Sequence, residues 1–370
     1  MNENVTLAER PAAPAVPLRI LMIGVHPQKT PGGMATAYEL YRDAGLDQRV
    51  ALRYRASHAE GSLGYRLMVA LWATLRVSVD LALWRPDVVH LMVAAKGSFF
   101  RKSIYVWMAW LFGRRSLCHM QASSFQEFTA DLPKWALSYV RATLARAEVV
   151  ALSPKWADFY ARLRGDSRGV HVLGNPARLP PAPVRHGGLE KMQILFMGRL
   201  GARKGIWDLL NALDRLRDRD DWYAYLAGDG ELDAVREKLS ALGLADRVEV
   251  AGWLSQEELE HALGRPSIVV LPSHREGLPL ALVQGMAWGH PVVSTRIGGI
   301  PDLVEEGRNG LLVPPGEPSE LAAAIERLLA DPTARQRFGA ANREKVEAEY
   351  AVGVLLQELL QIYQREPSKA

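Results

Sequence analysis

The chain has 370 residues, 48% hydrophobic and 23% charged, with a single cysteine, Cys118. These proportions exclude a disordered chain and a disulfide-stapled scaffold, and the length suits about two domains of a globular enzyme in a reducing compartment. The net charge of +4 hides a division, because residues 1–185 carry 24 Lys/Arg against 13 Asp/Glu (+11) and the remainder carries 21 against 28 (−7). A basic half beside an acidic half points to an anionic partner for the first: anionic lipid, a lipid-linked phosphate or nucleic acid.

Residues 1–17, MNENVTLAERPAAPAVP, are polar and then Ala/Pro-rich, without a secretory pattern, and are expected to form a disordered tail. LRILMIGV (18–25) reads as a first parallel strand, and residues 34–44 have helical spacing. Further strand-like runs fall at 50–54, 87–91, 116–119, 148–152 and 170–173, separated by helix-length segments. Such alternation predicts an α/β fold with a doubly wound parallel sheet. Two apolar stretches stand out, 67–84 (LMVALWATLRVSVDLALW) and 104–112 (IYVWMAWLF). Arg76 and Asp80 interrupt the first, and Arg101, Lys102, Arg114 and Arg115 bracket the second, so neither offers the ~20 mostly uncharged residues of a membrane span. The expectation is two buried helices of the sheet domain. The sharper alternative lays the second at a membrane surface, with Trp107 and Trp110 among headgroups and arginines on phosphate.

Residues 174–190, GNPARLPPAPVRHGGLE, are rich in proline and glycine. They place a linker over 176–190, between domains at 18–175 and 191–349. The α/β pattern then restarts, with strands at 193–196, 222–226, 248–250 and 268–271 and helices between them. Helical segments at 317–329, 332–347 and 352–363 close the chain. Two such domains leave a cleft where strand C-termini face each other, the usual place for a ligand.

Chemistry concentrates in the second half. In FMGRLGARKG (196–205) a strand ends at Gly198, and Arg199 and Lys204 follow around a glycine turn. A planar fork and a point charge at a strand-to-helix junction form a grip for a diphosphate. In EGLP (276–279), Glu276 ends a strand and Pro279 opens a helix whose N-terminus, with free N–H groups, seats phosphate. A carboxylate repels phosphate, so Glu276 is expected to meet hydroxyl groups. Hydroxyls beside a diphosphate describe a nucleotide sugar.

Weaker signals surround this pair. Pro31-Gly32-Gly33 could admit a phosphate from the opposite side, although Pro-Gly is also an ordinary turn. Gly228-Asp229-Gly230 lacks the third glycine of a dinucleotide fingerprint and is expected to be a tight turn lining the pocket. Asp218 and Asp220 belong to a solvated charge run, and the nine histidines do not cluster, so no metal is expected. His90 and His119 each end a strand that points to the cleft; His90 is expected to be structural, and a role for His119 stays open.

Taken together, FMGRLGARKG, LAGDGEL, VEVAGWLSQEEL and EGLPLALVQGMAWGHPVVSTRIGGIPDLVEEGRNGLLVPPGE resemble glycosyltransferase family 4, retaining nucleotide-sugar enzymes of the GT-B fold. The resemblance is strongest over 193–330 and looser over 18–175. It implies that Arg199 and Lys204 hold a donor diphosphate and that Glu276 contacts the donor sugar. Gly277, Leu278 and Pro279 would offer backbone amides, Gly33 and Gly198 would lie near phosphate, and Gly230 and Leu254 would border the nucleotide. It also implies UDP- or GDP-sugar as donor, a lipid-linked or other saccharide acceptor, neither metal nor cofactor, and a cytoplasmic location at the inner membrane face, with no nucleic acid. The last helix, about 350–366, would cross back onto the N-terminal domain.

Two departures accompany it. The family's second glutamate, eight positions after the first, is replaced here by Gln284. The family histidine after the fourth N-domain strand falls on Gln121, with His119 two residues earlier as the other choice. These departures motivate an alternative, a catalytically degenerate subunit that scaffolds a polysaccharide assembly.

Overall fold

The computed structural model describes residues 17–26, 30, 32–59, 61–186 and 191–366. Nearly all of the expected tail, Pro31, and residues 187–190 of the expected linker lie outside them.

The N-terminal half runs β1 (Arg19–Gly24), α1 (Gly33–Asp43), α2 (Leu46–Arg49), β2 (Ala51–Ala56), then α3 (Leu63–Val79), which a π-helical turn (Asp80–Trp84) extends. It continues through β3 (Val88–Val93), α4 (Gly97–Leu111), β4 (Arg115–Met120), α5 (Phe125–Ala130), α6 (Lys134–Ala145), β5 (Glu148–Ala151), α7 (Pro154–Arg164) and β6 (Val170–Val172). The second half opens with β7 (Met192–Met197), a 3-10 turn (Ala202–Lys204), α8 (Ile206–Arg215), β8 (Trp222–Ala227), α9 (Leu232–Ala241) and β9 (Val248–Gly252). It proceeds through α10 (Gln256–Leu263), β10 (Ser267–Leu271), α11 (Leu280–Ala287), β11 (Val292–Thr295), α12 (Ile300–Leu303) and β12 (Gly310–Val313). Three helices follow: α13 (Pro318–Ala330), α14 (Pro332–Lys345, prolonged by a π turn over Val346–Tyr350) and α15 (Val352–Gln364).

The strands form two parallel six-stranded sheets, ordered β2-β1-β3-β4-β5-β6 and β12-β11-β10-β7-β8-β9. Parallel strands buried on both faces need near-continuous apolar runs, which RILMIG, VVHLMV and MQILFM supply. Alternation along each strand divides the cores. Ile20 and Met22 pack in one cluster with Tyr38 and Tyr41 of α1 and Leu355 and Leu359 of α15. Leu21 and Ile23 face the other way, onto Val77 of α3, Phe99 and Tyr105 of α4 and Val140 of α6.

Helix α15 is thus covalently part of the second half but packed on the first sheet. Ala177 and Ala351 form a parallel bridge where the chain crosses back. Arg115 on β4 then clamps the end of α15, donating to the carbonyls of Ile362 (2.6 Å), Tyr363 (2.8 Å) and Arg365 (3.0 Å). The same guanidinium forms an ion pair with Glu148, which also bonds His171 at 2.7 Å. Burial pushes the Glu148 carboxyl up, but the hydrogen bonds and charges of Arg115 and His171 outweigh it and hold it down at about 2.

Helix α3 differs from the expectation of a buried helix. Only Ala73 and Val77 of its straight part are buried, while Leu63, Leu67, Leu71 and Leu75 face outward. In α4, Tyr105, Val106 and Ala109 are buried, and Trp110 and Leu111 are exposed. Trp107 is not free to enter a membrane, because its Nε1 donates to Thr143 (3.0 Å) and Arg146 covers its ring.

Candidate active site

A cleft of about 820 Å³ lies between the sheets. Its walls come from loops at the C-terminal ends of β1, β3, β4, β7, β8, β9 and β10, the edge at which open α/β sheets bind ligands. Arg199, Lys204, Glu276, Gly277, Leu278, Pro279, Gln284, Gly198 and Leu254 line it from the second half, and Gly33 and Gln121 face them from the first.

The Lys204 loop owes its shape to a glycine. Gly205 takes φ 72°, and a Cβ there would overlap the carbonyl oxygen of Pro272, so only glycine lets the turn press against the start of the loop that follows β10 and carries Glu276. Lys204 Nζ consequently meets Glu276 Oε1 at 2.5 Å, and Ser273 Oγ donates to the same oxygen at 2.7 Å. Glu276 is only 5% exposed, a position a carboxylate occupies when paired in this way. Behind it, Gly298 (φ 52°) lies where a Cβ would overlap the Glu276 carbonyl, and Gly299 N–H donates to the Gly277 carbonyl at 2.8 Å. Lys204 and Ser273 thus hold the carboxylate, and the Gly298–Gly299 loop holds the backbone that carries it.

Helix α11 begins in the cleft. Its N-cap is Pro279, which offers no side-chain bond to the first-turn N–H groups, and there is no acidic residue in that turn. Leu280 and Ala281, at the positive end of the helix, thus line the same cavity as Arg199 and Lys204. Three positive elements and one carboxylate around a single cavity can hold a diphosphate and a polyol side by side. Gln284 is half-buried one turn along α11, on the wall of the same cavity.

The two halves touch at this loop. Asn175 Nδ2 donates to the Leu278 carbonyl (2.6 Å) and Trp156 Nε1 to the Gly277 carbonyl (3.3 Å). Neither was singled out from sequence, although the GNP at 174–176 was visible. Lys96, also on the cleft wall, adds a cation from the first half and takes φ 56°, a conformation that costs a non-glycine residue about 1 kcal/mol or more. Its signal, the AAKG following β3, was too short to read. Trp253 is exposed beside Leu254 on the same wall.

Two expectations are corrected. His119 does not point to the cleft, and His90 is buried beside it in the sheet. Strand β4 runs on to Met120, so His119 lies inside the sheet, 3.3 Å from His90, whose other nitrogen bonds the Tyr363 hydroxyl of α15 at 2.6 Å. Burial lowers His119 to about 4, leaving a neutral imidazole. Gln121, just past the strand, takes the cleft position, and its side-chain nitrogen has no hydrogen-bond partner among the described residues. Gly230 is the second correction. Gly228 and Asp229 reach the wall, whereas Gly230 forms a bridge with Leu200 behind it. No group of three or more potential metal ligands occurs among the described residues.

Comparison with known proteins defines the class. The Anabaena protein Alr3699/HepE, solved in complex with UDP and glucose, superposes with a TM-score of 0.74 at 18% identity, covering 93% of this chain and 98% of that one. Two parallel-sheet domains around a cleft in this arrangement are the GT-B fold.

Residues 191–331 match the family model described as glycosyl transferases group 1. The alpha-D-kanosaminyltransferase of Streptomyces kanamyceticus is 30% identical over 263 residues, 67% of this chain and 68% of the relative. The amylovoran biosynthesis glycosyltransferase AmsK of Erwinia amylovora is 34% identical over 184 residues, 48% of this chain and 45% of that protein. The chain belongs to the group 1 glycosyltransferases.

Proposed function

We propose that this protein is a retaining, metal-independent member of glycosyltransferase family 4. In this reading it moves a hexose from a UDP- or GDP-sugar to a hydroxyl of a lipid-linked oligosaccharide. It works at the cytoplasmic face of the membrane, in the synthesis of a cell-surface polysaccharide, and needs no cofactor. The convergence of Arg199, Lys204, the α11 N-terminus and Glu276 on one cleft carries the reading. When the bond from the sugar to the diphosphate breaks, negative charge develops on the departing phosphate. Cations already in place there stabilise the transition state more than the ground state, which is the role a metal plays in other transferases. Glu276 orients Lys204 and offers its second oxygen to sugar hydroxyls. The named activity of AmsK and the UDP and glucose bound to HepE favour the polysaccharide role and the uridine donor.

Gln284 on the cleft wall gives the alternative some weight, since it replaces a charged grip with one neutral hydrogen bond. A scaffold with a dead pocket would bind neither UDP nor GDP in a calorimeter. A thermal-shift and hydrolysis screen across UDP- and GDP-hexoses tests the main reading. It predicts one responding donor whose turnover collapses in Glu276→Ala with the melting curve still cooperative; unchanged turnover in that variant removes Glu276 from the mechanism.

A further inference from the structure

The outer surface of the first sheet carries a feature the cleft does not use. Helix α3 and its π-helical extension turn Leu63, Leu67, Leu71, Leu75, Val79 and Leu83 outward, one at every fourth position, with Leu83 79% exposed. Of the sixteen exposed large hydrophobic residues among the described ones, eight lie on this segment, so the patch is concentrated rather than scattered. Ile104, Trp110 and Leu111 extend it across α4, the neighbouring helix, which is tied to α3 through Thr74 and Tyr105. Fourth-position spacing makes one ridge along the helix, about 30 Å long at 1.5 Å per residue. Within this 22-residue segment an 18-residue window reaches a mean hydropathy of 1.5, yet only 22% of that window is buried.

By length and composition this helix could cross a bilayer, but its anchoring lays it flat. It connects β2 to β3 of one parallel sheet, with Ala73, Val77 and Leu81 in the core. Asp80, buried, is ion-paired to Arg53 (2.6 Å) and Arg55 (2.7 Å). Charge then selects the occupant. Asp80 is the sole carboxylate in α3, its extension, α4 and α6, and it is already neutralised. Arg66 and Arg76 border the ridge, Arg76 lying 4.8 Å from the Trp72 ring, and Lys134 and Arg141 follow on α6. Two copies meeting through this face would bring like charges together. A bilayer rich in acidic phospholipid supplies both the apolar layer and the opposite charge.

We infer that α3 is the element by which this enzyme docks on an anionic membrane, lying in the interface with its leucine ridge among the acyl chains. The inference deepens the membrane-side reading above and rests on it for the acceptor. Because α3 follows the C-terminal end of β2, its Leu63 end stands on the same strand-end side as the cleft.

The test is flotation of the full chain with phosphatidylglycerol-containing vesicles at low salt, beside L67E/L71E/L75E, together with sedimentation velocity of both. Hydrolysis of a soluble nucleotide-sugar donor is measured in parallel, so that failure of the catalytic reading shows separately. The wild type is expected to float with the vesicles and the triple variant to partition at least about tenfold more weakly, with donor hydrolysis unchanged. A variant that floats as the wild type does, or a wild type that ignores vesicles, overturns the inference. So does a wild-type dimer that the triple variant breaks without any vesicle binding.

Discussion

Helices α3 and α10 do the same topological work and present opposite surfaces. Each returns the chain from an edge strand toward the centre of its sheet, α3 from β2 to β3 and α10 from β9 to β10. Helix α10 is short and closed at its start by a capping box between Ser255 and Glu258. It buries Ala262 and Leu263 and shows Glu257, Glu258 and His261 to solvent. Helix α3 buries a similarly narrow stripe and shows leucines. Water explains the first surface and not the second. On the reading proposed above, this is a division of labour: the acidic half would hold the donor chemistry in the cleft, and the basic half the surface toward the membrane.

That division is broken most directly from the cleft side. Lys204→Ala is expected to cut turnover by roughly 10²–10³-fold, the usual loss for one preorganised donor at a developing anion. Vesicle partition should not change, and a variant that lost both together would merge the two regions. Next in size is Arg115→Ala, which frees the end of α15 and leaves Glu148 with His171 alone. Removing one member of such a buried pair costs about 3 kcal/mol, readable by denaturant unfolding.

Acid should weaken the fold through its buried neutral histidines, His119 in the first half and His290 in the second. His119 stays neutral in the native state down to about pH 4, while an unfolded histidine takes up its proton near 6.5. The unfolded chain therefore binds more protons between those values, and stability falls as pH drops through the window. The His119 share is roughly 3 kcal/mol. His119→Gln is expected to flatten that slope in urea titrations at pH 7 and pH 5. A smaller effect is expected from Gln284→Glu. A charged acceptor at this place on the cleft wall should tighten donor binding by about 1 kcal/mol, some fivefold by calorimetry. Smallest of all is the stability change in L67E/L71E/L75E, within about 0.5 kcal/mol per site, since those side chains already face outward.

The two halves also differ in how far they could be read from sequence. In the second, Gly198, Arg199, Lys204 and the EGLP turn are local strings whose residues set both the backbone and the side-chain placement, and the structure brings them to one wall. In the first, the parallel sheet was legible from alternation, but the side a helix turns outward was not. An apolar helix of period 3.6 looks alike whether protein or lipid covers it. His119 and Gln121 were separated by one residue of strand length, since β4 ends at Met120, and such ends are where sequence patterns are weakest. Asn175 and Trp156 matter through contacts more than 100 positions away, which no local window contains.

The central claim is a retaining transfer driven by the Arg199–Lys204–Glu276 cleft. The most direct measurement follows the wild-type protein with its responding nucleotide hexose by proton and phosphorus NMR, reading nucleoside diphosphate release and the configuration of the first sugar product. The account predicts stoichiometric release, a product with the donor's anomeric configuration, and loss of both signals in Lys204→Ala. Release with inverted configuration, or undiminished release in that variant, would contradict it.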